Sequence, residues 1–437
     1  MFSTIQHTPH SQKKRTMANI YSKSYIAASP QVAANSKVLF STRFLPLLQS
    51  VADSRQPVDV HEMNNAFTMD FMSAYQFGLA HSTNFTQQVE TRKKILHTYH
   101  SRRDYEVYSA EMPWVKPWSR RLGLSIIPKS VDEANQFLED WNSSMCRAAD
   151  AYLSQNTDNL RAFTGDEPVV YKQFKLALGT LRSKDETAGK AADGLVTLPT
   201  IRHDEHDTIT AEMHSEMLDQ LGAGHETSAI ALTYLYWEMS KRPELQAQLR
   251  NEVQSLTPRI VWPPSDLDCD LHNDFSLPDP KQIDALPLLQ AIVMETLRLH
   301  APIPGIEPRI SPNIPGGSTL GRYSGIPGGV RVSAMPYTLH RNATVFPDPE
   351  SFVPVRWLST HTSEAQLREM HRWFWAFGSG GRMCIGSHLA VQEIKLLVAT
   401  IYGNYTTEIV DDEGIEEIDA YTTRPRSNKL LLRFTHV

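Results

Sequence analysis

The feature that most limits what this chain can fold into is a run of helical periodicity from about Asp207 to Ser240. Ile209, Met213, Met217, Leu221, Leu232, Leu235 and Met239 recur at spacings that a 3.6-residue period places on one side. At about 1.5 Å per residue such a helix crosses a whole domain. Its Ala229 to Trp237 stretch is mostly apolar, which predicts a central, buried element. Apolar residues at helical spacing also fill Val38 to Val51, Met63 to Phe77 and Ala134 to Leu153. A loop is expected over Ser183 to Thr197, a helix from Lys241-Arg242-Pro243 to about Ser255, and another over Leu288 to His300 with Asp284 placed to cap it. From Ala301 to Gly329 proline and glycine take over. Val330 to Val332 and Met335 to Leu339 are the best candidates for a small sheet, and Thr406 to Phe434 reads as short strands joined by acidic turns. The expected class is mainly α, of the α+β kind.

Composition narrows the function. Among 437 residues, 43 basic side chains face 49 acidic ones, for a net charge of -6. That balance fits neither a disordered segment nor a nucleic-acid binder, so no nucleic-acid partner is expected. Length alone suggests two or three domains, since single cores stop growing at about 250–300 residues. Cys146, Cys269 and Cys384 are too few and too scattered for a disulfide framework or a four-cysteine zinc site. Met1 to Thr16 lack the apolar core of a signal peptide, and the longest apolar stretch, Ala229 to Met239, is interrupted by Thr233 and Glu238.

Three patterns carry chemistry. Phe377-Gly378-Ser379-Gly380-Gly381-Arg382-Met383-Cys384-Ile385-Gly386 sets a cysteine in a glycine-rich turn that opens an apolar helix, Leu389 to Tyr402. Glycines let backbone approach a flat ligand closely, and a helix N-terminus with Arg382 nearby favours a thiolate able to ligate a metal. Taken alone, the turn also fits a buried structural cysteine. Within the long helix, Gly222 and Gly224 each cost about 1 kcal/mol relative to alanine. A local widening of the helix over a ligand is therefore expected at Ala223-Gly224-His225-Glu226-Thr227, although a Glu-Thr pair by itself also fits a solvated face. Glu295 and Arg298, at i and i+3, share one face of an otherwise apolar helix. They are either a surface pair or a buried pair that needs further hydrogen bonds.

Phe377, Gly380, Arg382, Cys384 and Gly386 fall on the pattern F-x-x-G-x-R-x-C-x-G, and here the sequence resembles the cytochrome P-450 family of haem-thiolate monooxygenases. Ala223 to Thr227 resembles that family's A-G-x-[DE]-T. Glu295, Arg298 and Arg356, the last within Phe352-Val353-Pro354-Val355-Arg356, resemble its structural triad. Tyr21 to Tyr25, Phe67 to Phe71 and Asp419-Ala420-Tyr421 are similar to fungal members. The resemblance covers nearly the whole chain. It implies a cytochrome P-450 fold with a long central helix and small β-sheets, residues 1–437 forming a single haem domain, and haem b as cofactor. It further implies Cys384 as axial iron ligand, Phe377 packed beside it, Gly386 in the cofactor turn and Arg382 at a haem propionate. Thr227 would hydrogen-bond dioxygen and Glu226 would relay protons. Ser228, Pro302, Ile303, Ile306 and Thr422, the last within Tyr421 to Thr423, would line the substrate pocket.

His10 to Tyr25 resembles the family's third major helix. That implies His10 and Lys14 as further propionate partners, with Lys13 and Arg15 as competitors; Arg309 is either another propionate partner or a surface loop arginine. What the family places earlier (a membrane anchor, the first sheet strands, two helices and the first substrate-contacting loop) is expected to be missing. Either the gene product is truncated or another subunit or a domain rearrangement fills the gap. The implied reaction inserts one oxygen atom of dioxygen into a small apolar substrate, a secondary metabolite or a xenobiotic. Electrons from NADPH would arrive through cytochrome P-450 reductase, with cytochrome b5 as a second donor, because no dinucleotide fingerprint or flavin domain is apparent. The alternatives are a haem-thiolate isomerase or dehydratase, and an inactive haem-binding remnant. The expected location is the cytoplasmic side, at most peripheral to the endoplasmic reticulum membrane. Trp114 to Ile127 mixes aromatics, bases and aliphatics as an interfacial segment would, or as a substrate lid or core segment would.

Overall fold

The structure, a computed structural model, describes residues 7–105, 108, 112–155, 163–178, 203–262 and 275–437. The expected loop at Ser183 to Thr197, and Cys269, lie outside the described residues. The chain divides into two compact units. The first comprises Met1–Leu47, Asn65–Glu226 and Asp270–Phe275; the second comprises Leu48–Asn64, Thr227–Cys269 and Ser276–Val437.

The first unit is helical. Serines start its short helices: Ser22 Oγ accepts from the Tyr25 amide at 3.3 Å, and Ser29 Oγ accepts from the Val32 amide at 3.3 Å with Pro30 in the first turn. The helix expected over Val38 to Val51 is not continuous. Leu39–Phe44 winds as a π-turn between α-helical Pro30–Val38 and Leu45–Ser54. Phe40 and Phe44 on that turn both pack on Phe67, with ring centroids 5.2 and 4.7 Å away. The Asp70 carboxylate, fully buried, accepts hydrogen bonds from the Phe85 and Thr86 amides and the Thr83 and Thr86 hydroxyls, which pins the 83–86 segment against the helix Val60–Phe77.

The second unit holds the sheets. Val58–Asp59, Leu431–His436 and Tyr405–Asp411 form an antiparallel sheet in that order. Glu307–Ile310 pairs antiparallel with Arg331–Ala334, Arg309 opposite Val332, and Ser318–Leu320 pairs with Tyr323–Ile326. Around them run Pro243–Val253, Pro287–Leu299 and the cysteine helix Ser387–Asn404.

Two local expectations are overturned. Asp284 does not cap the helix that follows: that helix starts at Pro287, after Leu286, which makes no side-chain cap. Its free amides at Leu288 and Leu289 are accepted at 2.7 and 2.8 Å by the Glu252 carboxylate of another helix, while Asp284 holds Lys395 at 2.6 Å. Met335 to Leu339 is not a strand, because Pro336 opens a short helix, Pro336–His340. The long helix runs His203–Ser240, and its Ala229, Ile230, Leu232 and Tyr236 are fully buried, as a central element requires. Among the described residues no helix is long and apolar enough to cross a membrane.

Candidate active site

The cysteine turn is shaped by its glycines. Gly378 and Gly380 have φ of 71° and 68°, the left-handed region that glycine enters without steric cost. The chain then makes a single 3-10 turn at Gly380–Arg382, and the Cys384 amide donates to the Phe377 carbonyl at 2.8 Å, which closes the loop. A β-carbon added at Gly380 or Gly381 would meet nothing within 4 Å, so open space lies over the turn. A β-carbon at Gly386 would sit 3.9 Å from Cys384 Sγ. Phe377, Arg382, Cys384 and Gly386 are all partly exposed. Cys146, by contrast, is buried, and burial pushes its thiol up to about 12.

Strand Glu307–Ile310 meets this turn. Arg309 donates to the Ser379 carbonyl at 3.0 Å, and a β-carbon at Gly378 would lie 3.2 Å from the Glu307 carboxylate. Burial, and then the charge of Arg309, both disfavour the charged form of Arg382. Two guanidiniums set against each other beside open space and a partly exposed thiol suit a ligand that brings anionic groups and a metal. Haem, with its propionates and iron, fits the residues present.

Behind the turn stands a buried charge network. Glu295 accepts from Arg298 Nε and Nη2 at 2.9 and 2.8 Å, from Arg356 Nε at 3.1 Å, from Trp357 Nε1 at 2.8 Å and from the Val353 amide at 2.9 Å. Arg298 spends its other donors on the carbonyls of His340, Pro349 and Ser351. The three predicted residues are therefore brought together, with the pair buried and its hydrogen bonds supplied. His340 extends the network. Its Nδ1 faces the Arg298 carbonyl at 2.9 Å and its Nε2 accepts from the Trp375 amide at 2.8 Å, so the neutral ring links the Glu-x-x-Arg helix to the approach to the cysteine turn. Burial holds this imidazole down at about 3, which keeps Nε2 an acceptor.

The expected widening at Gly222 and Gly224 does not occur: the helix is α-helical throughout. The glycines instead admit neighbours within the first unit. A β-carbon at Gly224 would stand 2.6 Å from Met72 Sδ, and one at Gly222 would stand 3.1 Å from the Tyr99 hydroxyl. Glu226 is buried and ion-paired to Arg103 at 2.8 Å, and the Tyr99 hydroxyl donates to it at 3.2 Å. Thr227 is partly exposed. Ser228 is buried beside Glu393 of the cysteine helix, and burial raises the Glu393 carboxyl well above its ordinary value.

The family sequence model described as cytochrome P-450 matches residues 40–432. The chain belongs to the cytochrome P-450 family. Cytochrome P-450 monooxygenase avaI of Aspergillus versicolor is 27% identical over 407 residues, 91% of this chain and 82% of that protein. Fusicoccadiene C-8 hydroxylase of Alternaria brassicicola is 24% identical over 424 residues, 95% of this chain and 70% of that protein. Cytochrome P-450 monooxygenase tazI of Aspergillus terreus is 38% identical over 218 residues, but the match spans only 50% of this chain and 39% of that relative's length. A crystal structure of a cytochrome P-450 shares the fold, with a TM-score of 0.66 and 19% identity over 99% of this chain and 83% of that one.

The remaining predicted residues of this P-450 are spread more widely. His10 is buried and Lys14 partly exposed on the helix His7–Met17, while the competitor Lys13 is ion-paired to Glu212. Pro302 is buried, Ile303 and Thr422 are partly exposed, and Ile306 is 57% exposed. Thr423 joins two of the expected wall segments: its amide donates to the Pro302 carbonyl at 2.9 Å and its hydroxyl to the Ala301 carbonyl at 2.8 Å. Sequence reasoning missed Arg103, Tyr99, His340 and Glu393. For the first three no local pattern signals the role, since each depends on a partner distant in sequence.

Proposed function

We propose that this chain is a haem-thiolate monooxygenase, one haem domain over residues 1–437, that places one oxygen atom of dioxygen into an apolar organic substrate. The observation that carries the reading is the partly exposed Cys384 at the open mouth of a glycine turn flanked by Arg309 and Arg382. Cys384 Sγ would ligate the iron. Arg382 and Arg309, with His10 and Lys14, would neutralise the propionates, while Phe377 and Gly386 shape the turn around the thiolate. A haem so ligated supplies a thiolate push toward O–O cleavage. The second oxygen atom leaves as water, which needs two electrons and two protons.

This chain's own task is to manage the protons. The Thr227 hydroxyl would donate a hydrogen bond toward dioxygen, and Glu226, the residue before it on the same helix, would supply protons. Arg103 and Tyr99 hold the Glu226 carboxylate, so it must leave that ion pair to deliver a proton. Ser228, Pro302, Ile303, Ile306 and Thr422 form pocket wall. The substrate is an apolar secondary metabolite or xenobiotic; the name of the Alternaria brassicicola relative, fusicoccadiene C-8 hydroxylase, supports fusicoccadiene as a first trial. Electrons come from NADPH through cytochrome P-450 reductase, with cytochrome b5 as a second donor.

Trp114 and Trp118 are each 60% exposed beside Arg121 at the helix Val115–Arg121, which supports peripheral contact with the cytoplasmic face of the endoplasmic reticulum. Turnover with dioxygen, NADPH and reductase tests the reaction. Product formation under those conditions is expected; activity with a hydroperoxide alone, and none with the reductase system, overturns it.

A further inference from the structure

A charged cleft of about 540 Å³ in the second unit lies away from the cysteine turn. At its floor is His300, the residue that ends the helix Pro287–Leu299. Nδ1 of its ring lies 2.7 Å from Glu417 Oε1, and Nε2 lies 3.3 Å from Glu238 Oε1. A carboxylate only accepts hydrogen bonds, so both ring nitrogens must donate, and only the imidazolium can do that. Tyr234 stacks flat on the ring, with centroids 4.6 Å apart and planes 7° apart, which fixes the ring's orientation between the two acids.

The two acids are not equivalent. Glu238, near the end of the long helix, has other cations: Lys241 Nζ at 2.7 Å and Arg242. Glu417 sits on the loop that joins the strands Tyr405–Asp411 and Leu431–His436, and its ion pair is with His300. Glu416 beside it pairs with Arg426 at 2.7 Å. Arg341, on the cleft wall, is engaged by Glu350 at 3.1 Å and the Leu299 carbonyl at 3.0 Å. On His300's own helix, Arg298 is committed to Glu295. Loss of the ring's charge therefore leaves Glu238 compensated and removes the partner of Glu417.

The loop that Glu417 anchors also carries Tyr421 to Thr423, and the residues directly after His300 are Ala301 to Ile306. These are the two wall segments of the proposed pocket, joined through Thr423. We infer that His300 is a positioning residue: as imidazolium it clamps the Glu417 part of the 412–429 loop to the end of the long helix. Its deprotonation loosens that part, and with it one wall of the substrate pocket, while Tyr234 Oη on the Ile415 carbonyl at 3.1 Å and Trp237 Nε1 on Asp412 at 2.9 Å still hold the start of the loop. The pocket half of this inference rests on the function proposed above; the clamp itself does not.

The charge state agrees with the geometry. Burial works against the imidazolium, but the hydrogen bonds and charges of Glu238 and Glu417 outweigh it and raise the ring above the ordinary 6.5. The clamp is then fully present below the unfolded-state value and is lost as pH rises through the raised one. Loosening occurs on the alkaline side.

Hydrogen exchange of the full-length holoprotein at about pH 6 and about pH 9.5, corrected for intrinsic rates, tests this. The relevant amides are Ile418, Thr423 and Arg426, which donate to the Arg424, Pro302 and Glu416 carbonyls. Their protection should fall by about tenfold or more across that range in the wild type, the scale of one charge-assisted hydrogen bond. In His300→Gln they should be equally loose at both pH values. A double-mutant cycle of His300→Gln with Glu417→Gln on the unfolding constant adds a second reading. The coupling should be about tenfold or more at the acidic pH and vanish at the alkaline one. A wild-type exchange profile retained in His300→Gln, or a coupling that does not change with pH, overturns the clamp. The reduced carbon monoxide spectrum of the same samples reports separately on the haem-thiolate reading, so either claim can fail without the other.

Discussion

Replacing Glu295 by alanine probes the support of the cysteine turn. Its carboxylate takes five hydrogen bonds, three of them from the guanidiniums of Arg298 and Arg356. Arg298 is 0% exposed, so its charge cannot turn to water when the partner goes. Breaking a buried pair from one side costs about 3–5 kcal/mol. Three backbone carbonyls still accept from Arg298, which argues for the lower half of that range. Even about 3 kcal/mol is a large part of the ~5–15 kcal/mol that keeps a protein folded. Urea unfolding should show the midpoint falling with an unchanged slope. Glu295→Gln should lose most of the same energy, since its amide turns donors toward donors. Adding Arg298→Met to Glu295→Gln should recover part of the loss, because the uncompensated charge is then gone. The control is Glu364→Ala, which breaks an exposed pair with Arg368 and should leave the midpoint unmoved. If Glu295→Ala behaves like that control, the Glu295 network does not hold the fold together.

Gly78→Ala should cost at least about 2 kcal/mol, because Gly78 has φ of 81° and its β-carbon would fall 2.0 Å from the Asp166 carbonyl oxygen. Gly123→Ala, at φ 69° with nothing within 4 Å, should cost only about 1 kcal/mol. Equal losses in the two variants would remove the clash from the explanation. Glu393 offers a pH test. Its folded value is raised by burial, so above the unfolded value only the unfolded state releases this proton, and stability falls as pH rises. That slope is about 1.4 kcal/mol per pH unit just above the unfolded value, and Glu393→Gln should flatten stability by this amount there. Parallel stability curves for the two proteins would show that Glu393 is ionised when folded.

The parts of this fold legible in the sequence are those where a residue type is forced locally. Glycines at positive φ around Cys384, and an acid and a base on an apolar helix face, leave signals within a few residues. The same holds for the buried stripe of the long helix, whose period survives in composition. What was illegible depends on partners from afar. Tyr99 and Glu226 are 127 residues apart, and neither position is unusual by itself. Gly222 and Gly224 are legible in the sequence as costly but not the reason for the cost, since the space they clear is filled by Tyr99 and Met72 rather than opened by a wider helix. Asp284 had the right type and spacing for a cap, yet Pro287 resets the start and Glu252 supplies the acceptor from another helix.

Under the function proposed, Cys384 presents a thiolate to haem iron. The reduced, carbon-monoxide-bound spectrum of the purified, haem-loaded protein tests it most directly. An absorption band at about 450 nm is predicted for the wild type, and its loss in Cys384→Ala with haem still bound. No such band in the wild type, or the same band in the variant, would show that Cys384 is not the thiolate ligand.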